Sequence, residues 1–475
     1  MIDEERMRLE LTAHPLQRIG AYALSILARC SDPRQVTQEA LGKAMDEITE
    51  HAVTAALVRD TKREDAFWLK SSLSFFPNSP MFHPSNGKKS DTQIEEAVRR
   101  WRTMPKPAEH LEVPCVLCGR QAVKFFGKLD VPLAESHIYR NTTPRGHEGL
   151  ALCWPCVCSF YALPYGCRLT GGPAIALHSW DERFLANTVS RQVSQNRQNF
   201  AMGTPAPGPR AREIVALWAL RHYGERVTSG VDLLVFSNNN KGQSLEVHAL
   251  EQPLAEWLRR TSQMPQRRHA FGALLRAHRV GDQPGIVSLA RNAFRSPDRI
   301  LGTCARYLAA RVNDTSQVPD DASALAELCF SFVTEVMNVN EKDLAEIRAT
   351  ASRVATLLMP ETSGGKLKQL YATLKEPSRM RSWLQSRAVT WTLNPPKEGG
   401  ADGPLVTARA FGLLFDPSAD NPAWFHRQML IMAVLEELHR CGWKPQDGEQ
   451  VAKEVAVEDE LHEDDRRYAD GEEEA

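Results

Sequence analysis

The sequence has no long hydrophobic run, and this absence sets the first limits on the protein. No apolar stretch approaches the roughly 18 to 20 residues that a membrane-spanning helix needs. The first residues, Met-Ile-Asp-Glu-Glu-Arg, are charged and unlike a secretory signal. We therefore expect a cytoplasmic protein with no membrane partner. In that compartment the ten cysteines would be reduced, metal-bound or buried rather than paired in disulfides.

The common catalytic motifs are also missing. The chain has no phosphate-binding Gly-x-x-x-x-Gly-Lys-Ser/Thr loop and no Gly-x-Gly-x-x-Gly dinucleotide motif. It also lacks the His-Glu-x-x-His metalloprotease motif and the Gly-x-Ser-x-Gly turn of serine hydrolases. These absences favour a binding protein over an enzyme, and no catalytic residue is assigned.

Lysine is absent from one long arginine-rich stretch, and acids are scarce there. Residues 256–311 hold 11 arginines and only three acids. Arginine bonds phosphates in a two-pronged geometry and stacks on bases, so the stretch favours nucleic-acid contact. The candidate contacts are Arg259, Arg260, Arg267 and Arg268. The alternative is a solvated helical face with paired charges, but the stretch contains too few acids to supply the partners.

Charge is distributed unevenly along the chain. The formal net charge is −1, but residues 450–475 contain 11 acidic and 3 basic residues, a net of −8. Residues 1–449 therefore carry +7. Residues 457–475 are also poor in apolar side chains, which is typical of disordered segments. We expect a basic folded region followed by an acidic, disordered tail.

Hydrophobic periodicity separates a mixed region from a helical one. Helical spacing covers most of 5–75, including a helix from Gln38 to Arg63, and predicts further helices at 92–103 and 212–223. From Leu254 onward the pattern is almost wholly helical. Short β-type runs are predicted at Ala174–His178, Val231–Phe236 and Leu245–Ala249.

The predicted fold class is therefore α+β. A mixed N-terminal domain spans 1–255 and contains an inserted zinc ribbon, at about 113–168, and a small β-sheet. A C-terminal helical bundle spans 256–456, and the acidic tail occupies 457–475.

Two cysteine pairs give the strongest single motif. Cys115-Val-Leu-Cys118 is followed by Gly119, which permits a tight turn, and Cys153-Trp-Pro-Cys156 comes later. Four thiolates can surround one tetrahedral Zn²⁺ and leave no open position for water, so the predicted zinc is structural. The alternatives are buried free cysteines or a redox pair. Other candidate ligands nearby are Cys158, Cys167, His137 and His147.

Two polar loops are candidate nucleic-acid contacts. The loop between the last two predicted strands offers amide groups that can bond base edges, and a lysine for a phosphate. Its candidate residues are Asn238, Asn239, Asn240, Lys241 and Gln243. An ordinary hairpin turn is the alternative, since Asn and Gly favour positive φ. An earlier loop, 76–92, offers Asn78, Lys88 and Lys89, and alone it is only a basic surface loop.

Taken in order, these motifs resemble the large subunit of type I-B CRISPR Cascade, in the branch that carries a zinc ribbon. The resemblance covers about residues 9–260. The matching segments are Leu11-Thr-Ala-His-Pro15 with Gly20, Phe75-Phe-Pro-Asn78, His83-Pro84, Pro114 to Gly119, Gly149 to Cys156, Ala162 to Gly166, Gly171-Gly172, Leu177-His-Ser179, and Phe236-Ser-Asn238 with Gly242-Gln243. The cysteines are the specific part, together with the order of the whole set.

The resemblance implies a non-catalytic subunit of a ribonucleoprotein. Such subunits lie near the 5′ handle of the guide RNA, read the protospacer-adjacent motif on duplex DNA and help to open the duplex for an R-loop. Guide–target pairing supplies the fidelity. The implied partners are guide RNA, double-stranded target DNA, other Cascade subunits, and a helicase-nuclease or a transposition adaptor. A zinc-containing nucleic-acid enzyme and a free-standing zinc-ribbon regulator remain the alternatives.

Overall fold

The described residues are α+β, with many helices and two small antiparallel sheets. It divides into two compact units, Met1–Ala255 and Glu256–Ala475. Within the described part of the chain, no helix is both long and apolar enough to cross a membrane. The computed structural model describes residues 7–134, 149–205, 212–239, 242–311, 319–395, 403–416 and 423–450, so the tail expected at 457–475 lies outside it.

The described part of the first unit is mainly helical, and one of its helices is buried along its whole length. Its helices are α1 Pro15–Leu27, α2 Gln38–Val58, α3 Phe67–Ser72, α4 Asp91–Trp101, α5 Trp154–Gly166, α6 Glu182–Met202 and α7 Ile214–Arg221. The helices predicted at 92–103 and 212–223 are confirmed as α4, which is shorter at its C-terminal end, and α7, which is shorter at both ends.

The helical stretch predicted from residue 5 begins later in the structure, and the helix predicted at Gln38–Arg63 is shorter at its C-terminal end. Helix α1 begins at Pro15, because proline fits the first helical position, where its missing N–H costs nothing. The side chain of His14 caps this end by accepting a hydrogen bond from the Gln17 N–H. Helix α2 ends at Val58 rather than at Arg63, since Arg59 has a φ of +63°.

Helix α5 forms the centre of the first unit. Every residue from Trp154 to Gly166 is buried, as expected of a helix that is apolar on all sides. Helix α1 packs against it with almost no space between the two backbones. A Cβ atom added at Gly20 would lie 1.9 Å from the Ser159 carbonyl oxygen, and one at Gly166 would lie 2.8 Å from Ile19 Cγ2. Glycine is therefore required at position 20, and a larger residue at position 166 would displace the side chain of Ile19.

Two antiparallel sheets complete the first unit. Strands β1 (Lys124–Phe126) and β2 (Leu150–Leu152) form a two-stranded ribbon. Strands β3 (Ala174–Ser179), β4 (Val231–Ser237) and β5 (Ser244–Leu250) form the second sheet, with β4 in the middle. These last three are the strands predicted from β-type runs, each extended by one residue at one or both ends, and they are confirmed.

The second unit is helical, as its periodicity predicted. Helix α8 (Gln252–Gln263) leads into it. Its helices are α9 Pro265–Ala277, α10 Gly285–Arg295, α11 Arg299–Arg311, α12 Pro319–Glu335, α13 Glu341–Leu358, α14 Gly365–Ala372, α15 Pro377–Leu393, α16 Ala408–Phe415 and α17 Ala423–Arg440. Helix α17 packs against α11, α12, α13 and α16, and an unbroken run from Met429 to Leu435 on it is buried.

Candidate functional site

The first cysteine pair lies on a tight turn. The Gly119 N–H donates to the Cys115 carbonyl (2.9 Å), and the Cys115 N–H donates to the Arg120 carbonyl (2.6 Å). Gly119 has a φ of +77°, which only glycine adopts without strain. This turn folds Cys118 back beside Cys115, as the glycine after the first pair predicted.

The second pair lies at the beginning of α5. Cys153 is the residue that precedes the helix, and Cys156 is in its first turn. The N-terminal end of a helix stabilises negative charge, so this position favours thiolates. A hydrogen bond from the Val116 N–H to the Ala151 carbonyl (2.9 Å) ties the first turn to β2, immediately before the second pair.

The four sulfur atoms form one cluster that could hold a metal ion. The Sγ atoms of Cys115, Cys118, Cys153 and Cys156 all lie within 4.8 Å of one another. Cys118 is partly exposed and the other three are buried. Cys158 and Cys167 are buried outside this cluster, while His137 and His147 lie outside the described residues.

Hydrogen bonds among the four thiols shift their pKa values in opposite directions. Hydrogen bonds to Cys115, Cys153 and Cys156 hold the pKa of Cys118 far below its usual range, and Arg120 Nε also donates to that sulfur (3.5 Å). Hydrogen bonds to Cys115, Cys118 and Cys153, together with burial, raise the pKa of Cys156. Four neighbouring thiolates repel one another, and a bound cation would remove that repulsion. With four sulfur ligands, the set fits a closed, structural metal site.

Asn238 lies inside the protein, contrary to its expected role as a base reader. It is 0% exposed. Its Nδ2 donates to the carbonyls of Phe75 (2.8 Å) and Lys128 (3.0 Å), and its Oδ1 accepts from the Leu133 N–H (3.2 Å). The Asn238 N–H donates to the Ser74 carbonyl (3.0 Å). This amide is used in internal bonds, so it is not available to a base edge.

The rest of the loop after β4 is only partly described. Asn239 is exposed, and Gln243 is half-buried with its Nε2 donating to Asn238 Oδ1 (2.5 Å). Asn240 and Lys241 lie outside the described residues. Asn239 therefore remains at the surface as a candidate contact, while Gln243 supports the buried asparagine.

The earlier polar loop contains both surface and structural residues. Asn78 and Lys88 are exposed, and Asn78 has a φ of +61°. Lys89 is half-buried and donates to Asn86 Oδ1 (3.3 Å). Asn86 is buried and donates to the Pro80 carbonyl (2.8 Å). The loop is held in place by Asn86 and presents Asn78 and Lys88 to solvent.

Three of the four singled-out arginines form ion pairs, which corrects the expectation that partners are too few. Arg259 bonds Glu256 through two nitrogen atoms at 2.7 Å each, and these side chains are 12% and 14% exposed. Arg260 and Arg267 both pair with Glu335, at 2.8 and 2.5 Å. Glu335 comes from α12, outside the arginine-rich stretch, and could not be counted from local spacing.

Other arginines of the stretch lie at the surface of α9, α10 and α11 and of the turn after α9, and the sequence did not single most of them out. These three helices pack against one another. We call the following exposed residues the arginine surface: Arg268, Arg276, Arg279, Arg295 and Arg299. The spacing from Arg268 to Arg276 places both on one helical face, which is the signal that could have found them.

Comparison with known proteins gives no relative for this chain. No family model, curated protein or solved structure matches it.

Proposed function

We propose that the protein is the large, non-catalytic subunit of a type I CRISPR surveillance complex. The observation that supports nucleic-acid binding most directly is the arginine surface. Residues 265–311 contain nine arginines, no lysine and two aspartates, a net of +7. Exposed arginines on packed helices bind phosphates without sequence preference. This suits a subunit that holds strands while base pairing reads their sequence.

The order of the sequence motifs supports the assignment to a Cascade large subunit in particular. Segments that resemble the Cascade large subunit are far apart in the chain, yet two of them meet. Asn238 of the later motif bonds the Phe75 carbonyl of the earlier one, and the rings of Phe75 and Phe236 pack edge to face at 5.5 Å. This packing supports reading them as parts of one structural unit.

The metal in this proposal is zinc, with a structural role. Four cysteine sulfurs are a ligand set typical of tetrahedral Zn²⁺. In the proposed layout the cysteine turns and the β1–β2 ribbon form a zinc ribbon inside the first unit. The ion would hold the first turn against the beginning of α5 and would therefore stabilise the fold rather than act on a substrate.

The proposed contacts follow from exposure. The arginine surface would hold phosphates, and Asn78, Lys88 and Asn239 would approach duplex DNA or the guide RNA. The partners would be guide RNA, target DNA, the other Cascade subunits, and a helicase-nuclease or a transposition adaptor.

Charge removal on the arginine surface tests nucleic-acid binding. We expect Arg268→Ala with Arg279→Ala to weaken binding of single-stranded DNA. The magnitude of the slope of log K against log[salt] should fall by about 1 to 2, because fewer phosphate contacts form and fewer counterions are released on binding. Titrations over a range of salt concentrations measure this.

The matched control uses two arginines on α15, Arg379→Ala with Arg381→Ala. Both are exposed and belong to the same unit, so the change in net charge is the same. An equal loss of affinity and slope in the two variants would mean that the arginine surface is not the binding site.

A further inference from the structure

The arginine surface has a candidate occupant within the same chain. Residues 451–475 carry 11 acids and 3 basic residues, a net of −8, while residues 265–311 carry a net of +7. Blocks of like charge in acidic segments commonly interact with basic surfaces. The two net charges are opposite in sign, so contact between the segments would be electrostatically favourable.

The acidic segment begins close enough to reach that surface. The described chain continues past α17 to Gln450 within the second unit. Helix α17 packs on α11, where a His439 ring nitrogen lies 3.2 Å from the Leu308 carbonyl oxygen. Twenty-five further residues span up to about 80 Å when extended, several times the roughly 20 Å length of α9 or α11.

Two arginines of this surface, Arg268 and Arg279, have neutral hydrogen-bond acceptors, unlike the arginines of the stretch that face a carboxylate. Arg260 and Arg267 face Glu335, and Arg259 faces Glu256. Arg268 donates to the Gln263 carbonyl and Arg279 to the Gly281 carbonyl. Both of these side chains are exposed, and the acceptors are neutral carbonyl groups. An added carboxylate would be a stronger acceptor for them.

We propose that residues 451–475 cover the arginine surface when no nucleic acid is bound, and compete with nucleic acid for it. This rests on the proposed function, in which the same arginines hold phosphates. The segment would act as an internal phosphate mimic: carboxylates occupy the sites that phosphates would take. A long strand that makes many contacts would displace it, whereas weak, non-specific contacts would be suppressed.

A double-mutant cycle in the full chain tests the contact. A neutral-tail variant replaces acids by their amides at Glu458, Asp459, Glu460, Glu463, Asp464 and Asp465. It is measured alone, with Arg268→Glu and Arg279→Glu, and with the control pair Arg379→Glu and Arg381→Glu. The probe is a fluorescent oligothymidylate about 20 nucleotides long.

If the acidic segment contacts the arginine surface, the effect of neutralising its acids should depend on the arginines of that surface and not on the control arginines. Neutralising the acids should tighten binding about tenfold in the wild-type and control backgrounds, and less than about threefold in the Arg268→Glu, Arg279→Glu background. The same fold-change in all three backgrounds would overturn the proposal, because general repulsion acts alike in each. A neutral-tail protein that bound no oligonucleotide would instead overturn the proposed function.

Proteolysis gives a readout that needs no nucleic acid. Trypsin can cut after Arg466 and Arg467 within the segment. Docking predicts slower cutting there in the wild type than in the Arg268→Glu, Arg279→Glu variant, with the control pair like the wild type. Equal rates in all three proteins would contradict docking even if DNA binding held.

Discussion

Asn238 shows how one side chain can join segments that are distant in the sequence. Its amide bonds the carbonyls of Phe75 and Lys128 and the N–H of Leu133, all in the first unit. Asparagine suits this position because it offers two donors and an acceptor from one planar group. No other neutral side chain of this size makes the same three bonds.

Loss of this amide should destabilise the protein rather than change its DNA preference. We expect Asn238→Ala to lower the free energy of unfolding by about 3 kcal/mol, because buried backbone groups would lose their partners. The adjacent Asn239 is exposed, so Asn239→Ala should change stability by less than about 0.5 kcal/mol. Denaturant unfolding measures both. Unchanged stability with an altered DNA sequence preference in the Asn238→Ala protein would contradict the structural role and support base reading by Asn238.

Contacts between residues that are close in the chain could be predicted from the sequence. Contacts between residues that are distant in the chain could not. Cys115 and Cys118 share a turn with Gly119, so local spacing was enough to propose their cluster. The ion pairs of Arg260 and Arg267 with Glu335 join residues 75 and 68 positions apart. Only tertiary packing brings that acid to those arginines, and the sequence pattern contains no signal for it.

At the scale of elements, the cysteine turns and α5 depend on one another. Cys153 and Cys156 lie at the beginning of α5, and α5 is the buried centre of the first unit. A metal held there would fix the end of the helix against the preceding turn. Metal binding should therefore stabilise the first unit through linkage between binding and folding.

Removal of one sulfur tests this linkage. We expect Cys118→Ser to lose most of the bound zinc and to lower the unfolding midpoint of the purified protein. A chelator should lower the midpoint of the wild type in the same way. Zinc content by elemental analysis and thermal unfolding are the two measurements.

The control is Cys441→Ser, since Cys441 is exposed and outside the cluster. It should keep the zinc content and midpoint of the wild type. Full zinc content in the Cys118→Ser protein would mean that the four sulfurs do not form the metal site.

Strands and helices were predicted well where their pattern is local. The runs that became β3, β4 and β5 are short and rich in β-forming residues, and buried helices such as α17 follow apolar spacing. Helix ends were less accurate: α1 begins only at Pro15, and α2 stops before Arg59 instead of continuing to Arg63. Those ends depend on single residues rather than on periodicity.

At the scale of the whole molecule, two units with different chemistry share one chain. The first unit contains the cysteine cluster and the packed motifs, and the second contains the arginine surface. In the proposed complex, the first would contact duplex DNA and the guide RNA handle, while the second would hold separated strands. In that proposal, the acidic segment would occupy the arginine surface of the second unit until a nucleic-acid strand displaces it.

The most direct test is purification of the tagged chain from its native host, with metal and RNA measured in the same sample. We expect about one zinc per chain, a short RNA of uniform length and several partner proteins. Zinc without RNA or partners would contradict the Cascade assignment and would favour a free-standing regulator with the same metal site.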